Sequence, residues 1–474
     1  MPAEAPLNQK NLEIATNPAV PPEADERTRS YRQIFKSTSL VGGAQVANIL
    51  IGIARTKALA VLLGPAGMGL AGMYQSATGL VGTLTGFGIG QAGVRQIAEA
   101  EGTGDKEKIA RTIHTLRRTA LFSGILGTLI VLVFYRPITR ATFGNLDYAA
   151  GVALVSLTLL FGGISAGQTA LLQGLRHLKE LAACTVLGSL FGTLVSIAIV
   201  YYLGEKGVAL FLVAVAALGV ITSWWFARRI QVKSVMLTFQ QMSGEIRGLL
   251  RMGLAFAVSG LLSAGTAYIV RILIIRELGM VAVGLYTATW TLSTFYVGVI
   301  LNAMAADFYP RLTAVAEDNT VVNRMVNEQT EMGLLMAIPG IIATLALAPL
   351  VLQFFYSAAF LPATGIIRWQ ILGIALRVVS WPVGFILLAK GRSRLFMLSE
   401  VSASVLQIVF TILCLRVWGL EGIGMAFFFL YVAYTILMLF IVNRISGFFW
   451  TRQSLQFISF AGVLCILIFI ISRS

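Results

Sequence analysis

Six basic side chains fall inside long apolar runs of this 474-residue chain: Arg55, Lys57, Arg271, Arg276, Arg368 and Arg377. Glu277 is the one acid read well inside such a run, and Asp307 sits at an inner edge. An Arg at the centre of a bilayer costs on the order of 2.5–3.5 kcal/mol on insertion scales. Each base must therefore be paired, reach an interface, or face water. One acid cannot pair six bases. The imbalance points to a cavity that takes an anion, and phosphate suits the planar fork of a guanidinium. Arg377 lies nearest the middle of its run, and Pro382 five residues on frees a helix carbonyl. For Arg55, Arg271, Arg276 and Arg368 the competing role is anchoring helix ends.

Other polar groups share this setting. Gln45, Asn48, Gly52 and Arg55 recur at helical spacing and place two amides and a guanidinium on one stripe, which should face a wet interior. Lys57 points about 200° away from Arg55 on a regular helix and is expected to snorkel outward. Thr287, Thr289, Trp290, Thr291, Ser293, Thr294, Tyr296 and Asn302 gather hydroxyls, an amide and rings on one run. That set suits sugar binding and equally suits ordinary contacts between helices. Asp307 and Glu277 are the candidates for protonatable groups that couple an ion to the site.

Several patterns carry less chemistry than they spell. Gly88 to Gly93 reads GxGxxG, but a dinucleotide site needs a strand before it, and here it closes an apolar run. Gly79, Gly82, Gly86, Gly90 and Gly93 instead predict one smooth helix face for a close neighbour. Cys184, Cys414 and Cys465 lie in apolar runs without disulfide or zinc spacing and read as small hydrophobes. His114 and His177 are isolated. No metal and no cofactor is expected.

The elements that must position these residues are helices. Hydrophobic residues make up 57% of the chain and charged ones 12%, against roughly 25% in soluble domains. Mean hydropathy is +0.82. A helix crosses the hydrocarbon with roughly 20 apolar residues. The predicted spans are 37–63, 67–94, 115–135, 148–173, 181–203 and 208–227, then 250–278, 281–306, 331–353, 364–389, 395–417 and 422–443. A thirteenth, uncharged run covers 455–471.

With the N-terminus inside, five of the 36 Lys and Arg fall outside (Arg136, Arg140, Lys206, Arg416 and Arg473) and six within spans, leaving 25 on the inner side. The positive-inside rule favours that orientation. The net charge of +15 thus reports topology, and no soluble basic face exists to bind nucleic acid. Polar connectors follow the second span of each half. In the first, Asp105 is placed to cap a short helix whose Ile109, Ile113 and Leu116 suit a membrane-surface helix.

The runs repeat. Leu63-Gly64 matches Leu278-Gly279, Arg55 matches Arg271, Arg95 matches Arg311, Gly174 matches Gly391 and Gly207 matches Gly422, at offsets of 215 to 217. An even number of spans per half makes the repeats parallel, a plan common in transporters. The expected fold class is an all-α polytopic membrane protein with two parallel six-helix repeats in a V around a central cationic cavity, plus a C-terminal helix. The expected domains are a disordered tail at 1–33, an N-lobe at 34–230, a cytoplasmic linker at 231–249, a C-lobe at 250–445, and an amphipathic linker with a thirteenth helix at 446–474.

Leu63-Gly64-Pro65-Ala66-Gly67-Met68-Gly69-Leu70 resembles the turn after the first helix in O-antigen-type flippases. So do Phe143-Gly144-Asn145-Leu146-Asp147-Tyr148, Trp369-Gln370-Ile371-Leu372-Gly373, Ala389-Lys390 and Ser399-Glu400-Val401. That family, which includes the enterobacterial common antigen type, belongs to the multidrug/oligosaccharidyl-lipid/polysaccharide exporter superfamily. The resemblance covers roughly residues 36–445. It implies a translocase, not an enzyme, that moves an undecaprenyl-pyrophosphate-linked oligosaccharide to the periplasmic leaflet for O-antigen and lipopolysaccharide synthesis. It further implies alternating access, antiport against an ion gradient, a bacterial inner membrane location, and polysaccharide polymerase and chain-length proteins as neighbours of a functional monomer. Arg377 falls where such proteins resemble it in carrying a basic residue in the tenth helix. The candidate substrate-binding set is Arg55, Arg271, Arg276, Arg377, Gln45 and Asn48. A drug exporter of the same superfamily would want buried carboxylates for cations. A polymerase or glycosyltransferase would want acid–base groups in a large outer loop, where only Asp147, Glu205 and Glu421 are found.

Overall fold

Long apolar runs have one way to satisfy their backbone in lipid, and the chain takes it: a computed structural model describes residues 22–230 and 239–473, and the described residues contain helices and no strand. In chain order these are α1 (Pro22–Gly86), α2 (Ile89–Gly102), α3 (Lys106–Val133), α4 (Tyr135–Phe143), α5 (Ala149–Val155), α6 (Leu157–Gly174), α7 (Leu178–Leu203), α8 (Val208–Ala227), α9 (Phe239–Ala314), α10 (Asn319–Ala346), α11 (Ala348–Phe355), α12 (Thr364–Ala389), α13 (Ser393–Ser446) and α14 (Arg452–Ile471).

Nine stretches are long and apolar enough to cross a membrane, and four of them run 39 to 54 residues. At 1.5 Å per residue those four would be roughly 58 to 81 Å long, about twice the hydrocarbon thickness or more. Each is broken once near its middle by a glycine at positive φ: Gly64, Gly204, Gly279 and Gly419. At Gly419 the chain folds back so tightly that a side chain on Gly422 would collide with the Cys414 carbonyl. One break in each of the four long stretches turns nine into thirteen segments of crossing length among the described residues.

The repeat offset recurs in the backbone. Gly64 (φ 63, ψ −171) and Gly279 (φ 82, ψ −177) stand 215 residues apart. Gly204 (φ 56, ψ −136) and Gly419 (φ 56, ψ −127) do the same. Asp105 caps α3 by accepting from the Glu107 and Lys108 amides, and Asp318 caps α10 by accepting from those of Thr320 and Val321. The Lys108 and Glu107 amides hold the Asp105 carboxyl below the usual carboxylate range. Gly391 pairs at this offset with Arg176, which shares its positive φ, and not with Gly174.

Three expectations change. The segment after Asp105 is not a separate surface helix. It is the start of the 28-residue α3, and Ile113 and Leu116 are buried in a cluster with Ile97, Leu171 and Ala227. The glycine face is not continuous, because Phe87 (φ 44) and Gly88 (φ 63) break the helix between α1 and α2. Gly82, Gly86 and Gly90 line an apolar cavity of about 230 Å³ beside Gly124, Gly163 and Gly167. Finally, α1 begins at Pro22, inside the expected tail, and α9 begins at Phe239, inside the expected linker. Residues 1–21 and 231–238 lie outside the described residues.

The last helix, α14, packs along α10 and is pinned at both ends. Near its start Ser454 Oγ donates to Glu331 Oε1 at 2.7 Å, and the Thr451 amide donates to Asn327 Oδ1 at 2.9 Å. Near its end Arg473 pairs with Glu421. Ala461 and Cys465 are buried in the protein core between.

Candidate functional site

The deepest basic residue of the sequence sits where the helices pack most closely. α12 is flanked by α9, α10 and α13, and most of its surface is buried. Arg377 lies half-buried at its middle and lines a cavity of about 310 Å³. The cavity is shared with Ser380, Trp381 and Phe385 of α12, Glu400 of the first part of α13, and Tyr431 and Tyr434 of the second. Glu400 is also half-buried and lies in the field of Arg377. Among the described residues no ion pair within 4 Å joins them. The Ser380 hydroxyl donates to the Arg377 carbonyl at 3.3 Å, in the turn that precedes Pro382.

Glu400 was not counted among the buried acids in the sequence. It stands seven residues into its helix and passes for an interfacial group there. The hairpin geometry supplied the missing signal. Counting equal numbers of residues about the turn at Lys390–Arg392 brings Arg377 opposite residue 405, about one and a half helical turns from Glu400.

Arg271 lies half-buried on α9. Its Nη1 donates to the Ala267 carbonyl at 3.1 Å, its guanidinium lies 5.4 Å from the Tyr286 ring, and its buried Nε has no partner. From Tyr286 a ladder of ring contacts runs through Trp290, Phe427 and Tyr431 to Tyr434, with centroids 4.9 to 6.2 Å apart. The ladder joins Arg271 to the cavity of Arg377 and Glu400. It also absorbs Trp290 from the polar eighth run. In the same run Ser293 donates to Gln370 Oε1 at 3.1 Å, a contact between helices rather than an open sugar face.

The other sequence candidates lie elsewhere. Arg55 and Asn48 are half-buried on α1, Asn48 with a buried, unpartnered Oδ1, and Gln45 is exposed. No hydrogen bond or ion pair among the described residues joins Arg55, Arg271 and Arg377, which stand on three helices. Arg276 is exposed and its Nη2 donates to the Ala141 carbonyl of α4 at 3.1 Å. Lys57, expected to snorkel, donates to the Gln353 carbonyl of α11 at 2.5 Å. Each of these cations comes from one repeat and meets the last turn of a short helix of the other, where the helix dipole favours positive charge. Thr142 and Tyr268 hydrogen-bond in the same region. Glu277 is exposed, and Asp307 is exposed and paired with Arg311 at 2.9 Å. Cys184, Cys414 and Cys465 are buried free thiols.

α1 and α9 meet backbone to backbone. A side chain on Gly69 would collide with the Met280 carbonyl, and one on Gly284 with that of Pro65. Gly69 and Gly284 are repeat equivalents, 215 residues apart. Toward the other end a side chain on Gly253 would strike the Phe87 carbonyl.

Comparison with known proteins follows this architecture. Residues 58–364 match the family described as polysaccharide biosynthesis protein. A curated relative, the lipid III flippase of Escherichia coli (strain K12), is 26% identical over 416 residues, which is 85% of this chain and 96% of the relative. Among solved structures, an inward-facing multidrug resistance MATE family transporter of the MOP superfamily superposes with a TM-score of 0.69 at 17% identity, covering 84% of this chain and 94% of that one. The lipid II flippase MurJ in an inward closed conformation gives 0.63 at 12% identity, covering 92% and 98%.

Proposed function

This chain belongs to the polysaccharide biosynthesis protein family, and from that membership we propose that it is a flippase for a polyprenyl-pyrophosphate-linked oligosaccharide. The observation that carries the reading is Arg377, a permanent cation held in a cavity among rings and hydroxyls in the middle of the membrane-spanning region. A relative named as a lipid III flippase, aligned over nearly its whole length, supports the substrate class.

In this reading the pyrophosphate is taken by Arg55, Arg271 and Arg377, Gln45 and Asn48 line its path, and Arg276 serves with Lys57 at the far end. The sugar occupies the polar interior and the polyprenyl tail stays in lipid between the two repeats. The two repeats, 34–230 and 250–445, alternate access between leaflets, driven by an ion gradient. Likeness to an inward-facing transporter supports an inward-facing state here. The protein sits in the bacterial inner membrane with its N-terminus cytoplasmic, as a functional monomer beside polymerase and chain-length proteins.

The test is reconstitution in vesicles with a fluorescent undecaprenyl-pyrophosphate-linked sugar on one leaflet. Transfer to the other leaflet is expected only with protein present. Transfer no faster than in protein-free vesicles, alongside export of cationic dyes, would replace this reading with a drug exporter.

A further inference from the structure

We propose that Glu400 is an internal counter-ion that competes with the substrate's phosphate for Arg377, so that proton uptake at Glu400 and anion binding at Arg377 are linked. The inference rests on the flippase reading and names the group through which a proton would act on that site.

The geometry isolates two charges. Arg377 and Glu400 face one cavity of about 310 Å³, and the other titratable groups lining it are Tyr431 and Tyr434. A guanidinium stays protonated at any physiological pH, and a phenol, with an ordinary pKa near 10, stays neutral. The charge of the cavity is therefore set by Glu400. Ionised, Glu400 leaves the pair near neutral and repels a second anion. Neutral, it leaves Arg377 as an uncompensated cation in a half-buried site, where opposite charges attract more strongly than in bulk water.

The absence of a contact ion pair between the two described side chains fits this exchange. Arg377 keeps its fork free for a bidentate phosphate, and Glu400 balances its charge from across the cavity. The step is a proton transfer and an exchange of ionic partners: hydronium gives one proton to the Glu400 carboxylate, leaving water, and the phosphate takes the place of that carboxylate as the partner of Arg377. Release of the anion on the far side reverses it, so the proton travels with the anion, the opposite sense to the antiport that the family resemblance implies. The alternatives read from sequence lack this arrangement, since Glu277 is exposed and Asp307 is exposed and already paired with Arg311. The ring ladder from Tyr434 to Tyr286 gives the change a packed path to Arg271 on α9.

The experiment measures binding of undecaprenyl pyrophosphate to the purified full chain across pH, for wild type and Glu400→Gln. One linked proton makes wild-type affinity rise up to about tenfold per unit fall in pH above the Glu400 pKa. Glu400→Gln, which mimics the protonated acid, should bind at high pH as tightly as wild type does at low pH and lose that dependence. Any slope it retains belongs to the lipid's own phosphates.

In weakly buffered solution wild type should take up about one more proton per lipid bound than Glu400→Gln does. Equal pH dependence in both proteins overturns the linkage while leaving the flippase reading standing. No binding to either protein at any pH overturns both. Should Glu400→Gln fail to fold, proton uptake by wild type decides alone: uptake no greater than the lipid's own titration overturns the inference.

Discussion

Arg377 joins two facts that are separate in the sequence, a charge at mid-membrane depth and a proline one turn and a half on. In the structure the same residue gains a cavity, a counter-charge at Glu400 and a ring-lined wall. The two charges are half-buried and make no contact ion pair, so Arg377→Ala leaves Glu400 without its counter-charge at a modest cost in stability. Loss of function in Arg377→Ala must therefore be separated from loss of folding. The expected result is transfer of the lipid-linked sugar reduced at least tenfold while protein level in the membrane stays near wild type. Arg377→Lys keeps the charge but loses the planar fork, and should fall between. Vesicle transfer rates divided by protein amount read both, and wild-type transfer by Arg377→Ala would remove the residue from the site.

Among elements, the pair α1 and α9 holds the two repeats in register. Their glycines divide into those whose space is filled by a neighbour and those whose space is open. A side chain at Gly284 meets the Pro65 carbonyl, whereas one at Gly79 meets nothing within 4 Å. Overpacking typically costs about 1–3 kcal/mol, and backbone cannot yield as a side-chain end can. Gly284→Leu should lower the thermal midpoint in detergent by several degrees or abolish folding, and Gly79→Ala should leave it unchanged. Equal effects would mean that the α1–α9 contact is not the tight one. Of the glycines that the sequence marked for a close neighbour, Gly82 and Gly93 meet the side chains of Leu159 and Leu116, while Gly79, Gly86 and Gly90 front open space. Spacing alone cannot tell a glycine that meets a backbone from one that fronts a cavity.

At the scale of the whole molecule, Lys57 on Gln353 and Arg276 on Ala141 tie each repeat to the other by the same device, a cation on a helix C-terminus. Both bonds involve exposed groups, so each contributes modestly. Alternating access would have to break them. Lys57→Ala combined with Arg276→Ala should shift the population toward the opposite state. Thiol labelling of a single cysteine at Gln45, which is exposed and lines the proposed path, in a background without the native cysteines, should then rise from the outer side by several-fold. Unchanged labelling would make these bonds simple anchors.

The sequence by itself determined that this is a helical multi-pass membrane protein and that its apolar runs and glycine breaks recur at an offset near 215. Those properties are local: apolar length and glycine breaks act within a few residues, and the solvent enforces them everywhere alike. It also exposed Arg377, because a charge in an apolar run is costly whatever surrounds it. What surrounds it was decided by the tertiary structure alone. Glu400 came to share a cavity with it because α12 and α13 pack side by side about the turn at Lys390–Arg392. Arg276 and Lys57 found carbonyls on the other repeat, Arg271 a stack of rings, and Asp307 a neighbour one turn away. Pairing is a property of distance between helices, and distance between helices is what a one-dimensional pattern of charges does not contain.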